Sequence, residues 1–223
     1  MKHLTPIYDI ANQFAQYTQT SIFITGNAGT GKTTFLRKLR STTQKQIAVV
    51  APTGVAAINA GGVTIHSFFQ LPFTPFVPTI EGEHNLMSKI KMTSMRRKVI
   101  QELELLVIDE ISMVRADLLD EIDTVLRHIR YRKNLPFGGV QVIFIGDLYQ
   151  LPPVVTPDVQ ETLAPYYEGF FFFNSKVIQQ QPPTYIEFDT IFRSGRRFLS
   201  SCRKNSLGVI SHLIAPCKRF SDS

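Results

Sequence analysis

The segment from residue 25 to residue 34 holds the residues whose spacing most directly predicts chemistry. Gly26 is followed by four residues and then by Gly31, Lys32 and Thr33, which is the spacing of a P-loop. In such a loop the backbone N–H groups surround a polyphosphate, the lysine contacts its β- and γ-phosphates, and the threonine hydroxyl binds Mg²⁺. The alternative is an ordinary glycine-rich turn between a strand and a helix. The sequence therefore predicts ATP and Mg²⁺ as cofactors, held by Gly26, Asn27, Ala28, Gly29, Thr30, Gly31, Lys32, Thr33 and Thr34.

Two neighbouring carboxylates form a second candidate group. Asp109 and Glu110 end the apolar run that begins at residue 105. In an enzyme that hydrolyses a nucleoside triphosphate, Asp109 would hold Mg²⁺, directly or through water, and Glu110 would orient and deprotonate the attacking water. Alone, such a pair is as often an ordinary strand terminus. Together with the P-loop it predicts a catalytic site, with Thr33 and Asp109 as metal ligands.

A third candidate group follows the next apolar run, in residues 146–154. Pro152 and Pro153 stiffen this loop. Gln150 would lie at a neighbouring strand tip, where its amide can sense the γ-phosphate. The sequence therefore predicts catalytic roles for Lys32, Asp109, Glu110 and Gln150.

Apolar runs of strand length must position these groups. Segments with the periodicity of helices separate them, which predicts an α/β fold with a mostly parallel sheet covered by helices on both faces. The last run is four consecutive phenylalanines, which we interpret as a buried strand rather than as an aromatic box for a ligand. The predicted strands are residues 21–25, 47–51, 105–109, 140–145 and 170–173.

A helix is predicted between the third and fourth strands. Its apolar residues share one stripe, whereas its charged residues lie elsewhere, which is typical of a packed surface helix. The stripe consists of Val114, Leu118, Leu119, Ile122, Val125, Leu126 and Ile129, and the charged residues are Arg115, Asp120, Asp123 and Arg127.

Residues 70–99 break this alternation. Prolines alternate with Phe73 and Phe76, and residues 81–95 are polar. We interpret the segment as a long functional loop or insertion. The run Arg96-Arg97-Lys98 either faces a phosphate backbone or forms a solvated helix face.

The basic charge of the chain is concentrated at one end. The 223 residues have a formal net charge of +6, but residues 193–223 hold seven of the 24 basic residues and one of the 18 acidic residues. The body is therefore neutral, and overall charge supports no nucleic-acid partner for it. Cys202 and Cys217 have neither metal-ligand nor disulfide spacing, which suits a reducing compartment. With no signal peptide or membrane span in the sequence, we predict a soluble cytoplasmic protein, nucleoid-associated if bacterial.

Five motifs in this order resemble those of Pif-type, RecD-like superfamily 1 DNA helicases. Residues 136–139, Pro-Phe-Gly-Gly, look like the same family. The resemblance implies a RecA-like P-loop fold and a single-stranded DNA partner. The motifs lie at residues 26–34, 51–57, 62–69, 109–113 and 146–154.

The resemblance also implies which residues contact DNA. Small hydroxyl and backbone donors would hold the phosphates, and an aromatic ring would stack on a base. His66 is as readily a core histidine, and Phe68 fits a core position better than a stacking position. The implied DNA contacts are Thr53, Gly54, Thr64, His66, Ser67 and Phe68.

The match ends near residue 193. Arg193 is similar to the family's next motif, whose arginine reaches the γ-phosphate, but Ser194 stands where a glutamine usually follows. We expect a P-loop ATPase domain over residues 1–193 and a basic, poorly ordered tail over residues 194–223, from a truncated or frame-disrupted product. The second motor domain is then absent.

The resemblance implies an ATP-dependent DNA helicase of the 5′-to-3′ type, with repair, recombination and telomere maintenance as family associations. For this chain we expect weak ATP hydrolysis without processive unwinding. The alternatives are an ATP-switched module that binds single-stranded DNA or a protein without turnover, and a P-loop ATPase unrelated to DNA. The sequence leaves the oligomeric state open.

Overall fold

A computed structural model describes residues 6–189, 191–193 and 196–198. The main sheet within these ranges is formed by β1 (Ile22–Thr25), β2 (Ile47–Ala51), β3 (Val63–Thr64), β4 (Leu105–Ile108), β5 (Gln141–Ile145) and β6 (Thr184–Glu187). A separate antiparallel pair is formed by β7 (Ile191–Arg193) and β8 (Arg196–Phe198).

The main sheet has the strand order β3-β2-β4-β5-β1-β6, and its neighbouring strands are all parallel. The helices that connect them are α1 (Pro6–Tyr17), α2 (Lys32–Thr42), α3 (Gly54–Ala60), α4 (Ile65–Phe69), α5 (Ile80–Lys89), α6 (Ser94–Glu102), α7 (Ala116–Ile129), α8 (Pro157–Leu163) and α9 (Lys176–Gln180).

Successive residues of the central strands enter two different cores. Phe23 packs on one face of the sheet with side chains from α4 to α7 and from α9, whereas Ile22 and Ile24 pack on the other face with α1, α2 and α3. Because side chains alternate along a strand, a strand buried on both faces is apolar at every position. The predicted α/β architecture, a parallel sheet between two helical layers, is confirmed.

Four of the five predicted strands are present within one residue at each end. The fifth prediction, a strand over residues 170–173, is wrong. Within this run only Phe171 forms a β-bridge, an isolated antiparallel bridge to Arg115. Phe172–Asn174 form a 3₁₀ turn. The rings of Phe171 and Phe173 stack on each other with centroids 5.2 Å apart, and Phe172 alone is buried. Aromatic contacts within the turn therefore replace the ladder of a strand.

Two further expectations need correction. The segment 70–99 was expected to be a long loop or an insertion; it is not one long loop, because it contains α5 and the first part of α6. The predicted helix α7 is present, but it is not a surface helix, since eleven of its fourteen residues are buried, including Asp117, Asp120, Glu121 and Asp123. These acids accept hydrogen bonds or line buried space, which periodicity alone does not indicate.

The helices described in these ranges are all too short or too polar to cross a membrane.

Candidate functional site

The carboxyl edge of the sheet collects the residues predicted to bind nucleotide. β1, β5 and β4 are parallel neighbours, so the loops that follow them leave from the same edge. The P-loop follows β1, Asp109 and Glu110 follow β4, and the loop 146–154 follows β5. The N–H of Gly146 donates to the carbonyl oxygen of Ile24 at 3.2 Å, which joins two of these loops at their origin.

Gly26, Gly29 and Gly31 of the P-loop adopt backbone conformations that other residues rarely adopt. Gly26 has φ 141°, and a Cβ atom there would overlap the carbonyl oxygen of Phe188. Gly31 has φ 94° and directly precedes α2. Between them, the Thr30 hydroxyl donates to the carbonyl oxygen of Asn27 at 2.9 Å. The glycines thus allow a closed turn that presents the N-terminus of α2, where the helix dipole favours an anion.

Lys32 begins α2, and its ammonium lies back across the P-loop. The Nζ atom donates to carbonyl oxygens of the loop, including that of Asn27 at 3.1 Å. Partial burial lowers the pKa of Lys32, and the carboxylates of Asp147, Glu110 and Asp109 oppose that shift. The Lys32 ammonium therefore lies close enough to the carboxylates after β4 and β5 to interact with their charges.

Asp109 and Glu110 leave β4 in different backbone conformations. The N–H of Asp109 donates to the carbonyl oxygen of Val50 at 2.9 Å, so Asp109 continues the sheet pairing. Glu110 is left-handed, with φ 53° and ψ 45°, and turns the chain into a 3₁₀ turn at Ile111–Met113. Burial raises the pKa of Asp109 to about 6; the charge of Glu110 adds to this rise, whereas a backbone hydrogen bond from Glu110 and the charge of Lys32 oppose it.

Asp147 is a site residue that the sequence reasoning did not single out. It is only 7% exposed, and its carboxylate accepts hydrogen bonds from the N–H of Tyr149 at 3.0 Å and from the side-chain amide of Gln150 at 3.3 Å. Of the three carboxylates whose charges oppose the lowered pKa of Lys32, Asp147 has the largest effect. The signal was available, because Asp147 follows an apolar strand much as Asp109 does. Gln150 is exposed and held by Asp147 at the same sheet edge.

The donor set beside the P-loop fits a magnesium ion. Mg²⁺ prefers oxygen ligands and retains several waters. The Thr33 side chain is exposed at the first turn of α2. Asp109 is partly buried, and this burial is the main cause of its raised pKa; a cation beside the carboxylate would stabilise its charge. The chemistry of Thr33 and Asp109 suits such ligands, and their role at the metal stays a prediction.

The residues implied as DNA contacts lie farther along the same edge, after β2 and β3. Thr53 caps α3 by accepting from the N–H of Ala56 at 3.2 Å, and Thr64 caps α4 by accepting from the N–H of Ser67 at 3.3 Å. A hydroxyl that accepts such a bond still has its own hydrogen to donate. Gly54 and Ser67 are exposed. Both short helices therefore present polar groups to solvent beside the nucleotide site.

The two aromatic candidates differ in their surroundings. Phe68 is 9% exposed and packs edge to face on Phe69, with centroids 4.8 Å apart, so its contacts favour a core role. His66 is half-buried, and burial together with the charge of Arg115 lowers its pKa. Its ring stacks on that of Phe73, which the sequence analysis did not propose as a site residue.

Arg193 was the remaining predicted catalytic residue. It is the last residue of β7, but its side chain lies outside the described part of the chain. Its predicted role at the γ-phosphate stays a prediction.

Known proteins resemble this chain in sequence and in fold. A family model described as PIF1-like helicase matches residues 4–181. The ATP-dependent DNA helicase PIF1 of Candida albicans is 39% identical over 188 residues, an alignment covering 81% of this chain and 20% of the relative. A crystal structure of Bacteroides Pif1 bound to ssDNA superposes with a TM-score of 0.79 at 44% identity, covering 88% of this chain and 44% of that chain.

A further structure, Bacteroides sp Pif1 in complex with ADP-AlF4, superposes with a TM-score of 0.78 at 44% identity over the same shares of the two chains. This chain thus spans less than half of the solved Pif1 chains and about a fifth of the curated relative. The family model, in contrast, matches well over half of this chain. The protein therefore belongs to the PIF1-like helicase family, with the RecA-like P-loop fold of Pif1 helicases.

Proposed function

We propose that this chain binds Mg·ATP and single-stranded DNA and hydrolyses ATP, as the nucleotide-binding part of a 5′-to-3′ DNA helicase. The observation that carries the proposal is the shared sheet edge, where Lys32 and the acidic tips at Asp109 and Asp147 meet beside the capped helices α3 and α4. The names of the relatives support it, since they are ATP-dependent DNA helicases and Pif1 structures with ssDNA or ADP-AlF4.

In the proposed hydrolysis, each of these residues has a different role. The P-loop amides and Lys32 hold the β- and γ-phosphates, and Thr33 and Asp109 would hold Mg²⁺, which would neutralise phosphate charge. Glu110 orients the attacking water and accepts its proton while the bond between the γ-phosphorus and the bridging oxygen breaks, giving ADP and phosphate. Gln150, held by Asp147, contacts the γ-phosphate and reports whether it is still attached.

In the proposed DNA contact, Thr53, Thr64 and Ser67 donate hydroxyl hydrogen bonds to the phosphate backbone, and Gly54 leaves room for the strand. Phosphate contacts of this kind fix position without reading sequence. A side chain at Gly54 would meet no other atom within 4 Å, so the backbone there is open to a ligand.

For the 223 residues by themselves we infer slow hydrolysis without processive unwinding. These residues span 44% of the solved Pif1 chains. An arginine supplied from another segment is worth about 10³- to 10⁵-fold in rate in related phosphoryl transfers. The predicted domain boundary at residue 193 belongs to this proposal.

Phosphate release measured with and without oligothymidine tests the proposed activity. Lys32→Ala should abolish the release, because the ammonium is the main positive side-chain charge on the phosphates. Lys133→Ala is the matched control, since Lys133 is exposed on a loop at the opposite edge of the sheet and should leave the rate unchanged. If the wild-type chain binds ATP but releases no phosphate, the alternative of an ATP-switched binding module replaces the enzyme.

A further inference from the structure

Phe73 is an aromatic side chain that lies outside the hydrophobic core. It is 88% exposed, although a phenyl ring gains about 1.5–3 kcal/mol when it is buried. One face of the ring lies on the imidazole of His66, with centroids 4.6 Å apart and planes inclined by 16°. The geometry is that of a stacked pair.

The loop around Phe73 is fixed on both sides. Leu71 and Phe76 are buried, and the N–H of Leu71 donates to the carbonyl oxygen of His66 at 3.1 Å. The N–H of Phe76 donates to the carboxylate of Asp117 at 3.2 Å.

Two further features hold the ring in place. The guanidinium of Arg115 donates two hydrogen bonds of 2.8 Å to the carboxylate of Asp117. The carboxylate that accepts from the Phe76 N–H is therefore itself held in place. Pro72 and Pro75 restrict the backbone next to Phe73. The ring is therefore preorganised rather than carried on a free loop, which lowers the entropy lost when a ligand binds.

The pair lies next to the hydroxyl groups proposed to hold the DNA backbone. His66 belongs to α4, whose cap is Thr64 and whose exposed Ser67 follows it directly. Phe68, the aromatic ring that the sequence offered for stacking, is instead packed in the core. A polar backbone contact and an open aromatic face are the two parts of a sequence-tolerant site for single strands.

We propose that Phe73, supported from behind by His66, is the surface on which a DNA base stacks. This inference rests on the proposed binding of single-stranded DNA and adds the residue that distinguishes an unstacked strand from a duplex. In a duplex the base faces are covered by neighbouring base pairs, so an aromatic platform has access only to bases of a single strand or at a duplex end. Phosphate contacts alone would not make that distinction.

Fluorescence anisotropy with labelled oligothymidine tests the platform. Phe73→Ala should weaken binding about 5- to 160-fold, the range of base stacking on an aromatic side chain, whereas Phe73→Tyr should stay within about twofold of the wild type. Tyr17→Ala is the matched control, because Tyr17 is 81% exposed at the end of α1, near the opposite edge of the sheet.

An abasic oligonucleotide of the same length separates stacking from phosphate contact. Its affinity should be equal for the wild type and Phe73→Ala, and the salt dependence should be the same for both, because the phosphate contacts are unchanged. If Phe73→Ala binds oligothymidine as tightly as the wild type, the platform is refuted while DNA binding stands. If the wild type binds no oligonucleotide at any salt concentration, both proposals fail.

Discussion

Glu121 is a buried carboxyl group in α7 that is incompletely hydrogen-bonded. It is 2% exposed, and its Oε1 atom has no hydrogen-bond partner among the described residues. Burial raises its pKa to about 8, with a contribution from Asp117, while Arg115 and Lys89 oppose the rise. Because the folded chain holds this proton more tightly than the unfolded chain, the stabilising effect is complete below pH 4.5 and is lost as pH rises through about 8.

Glu121→Gln should therefore flatten the pH dependence of stability. Near pH 5 the variant and the wild type should have similar free energies of unfolding, and near pH 9 the variant should be more stable by about 1–3 kcal/mol, because no buried charge forms. Urea denaturation at a series of pH values measures this. Glu102→Gln, at an exposed position, should follow the wild-type profile. Parallel profiles for Glu121→Gln and the wild type would contradict the assignment.

Individual site residues differed in how well the sequence predicted them. Lys32 was predicted from the P-loop spacing, and Asp109 from an apolar run that ends in two carboxylates and accompanies that loop, so neither prediction needed knowledge of packing. Phe73 could not be found in this way, because exposure decides whether a phenylalanine can stack on a ligand, and exposure depends on the complete fold. Asp147 was missed although its position after a strand is visible in the sequence.

At the scale of the element, α7 shows how buried acids organise a fold. The carboxylate of Asp120 accepts from the N–H groups of Lys176 and Val177 and from the hydroxyl of Tyr167, each at 2.9 Å. Asp123 accepts from the N–H of Phe137 and from the guanidinium of Arg127. α7 thus fixes α9 and the turn before β5 through its acidic residues as well as its apolar stripe.

Removing Asp120 should loosen α9. Asp120→Ala leaves three donors without their acceptor, and we expect a loss of about 2–4 kcal/mol in the free energy of unfolding by urea. Asp120→Asn keeps an acceptor and should lose less. Hydrogen exchange of the Lys176 and Val177 amides should accelerate more than exchange in β4. An Asp120→Ala variant as stable as the wild type would show that these hydrogen bonds contribute nothing to the free energy of unfolding.

Strands were predictable where helices cover both faces of the sheet. β1, β2, β4 and β5 are apolar apart from Thr25 and Gln141, because each strand lies between two helical layers. β6, at the sheet edge, has only four residues, of which Ile186 alone is buried, and it was not among the predicted strands. A run of aromatic residues indicates burial, not backbone conformation.

For the whole molecule, the order of strands explains why separate motifs form one site. Between the P-loop strand β1 and the acidic strand β4 lies β5, which contributes Asp147. β2 and β3 extend the same edge toward the proposed DNA contacts. Sequence order alone does not reveal this neighbourhood, because β1 and β5 are separated by more than a hundred residues; the parallel pairing creates it.

Calorimetric titration with Mg·ATP tests the central claim, that Lys32 and Asp109 bind one magnesium-bound triphosphate at the carboxyl edge of the sheet. We expect saturable binding at one site by the wild type and by Lys133→Ala, and loss of at least tenfold in affinity for both Lys32→Ala and Asp109→Asn. If nucleotide produces no binding heat at several temperatures, or if neither site variant changes the affinity, the proposed nucleotide site is wrong.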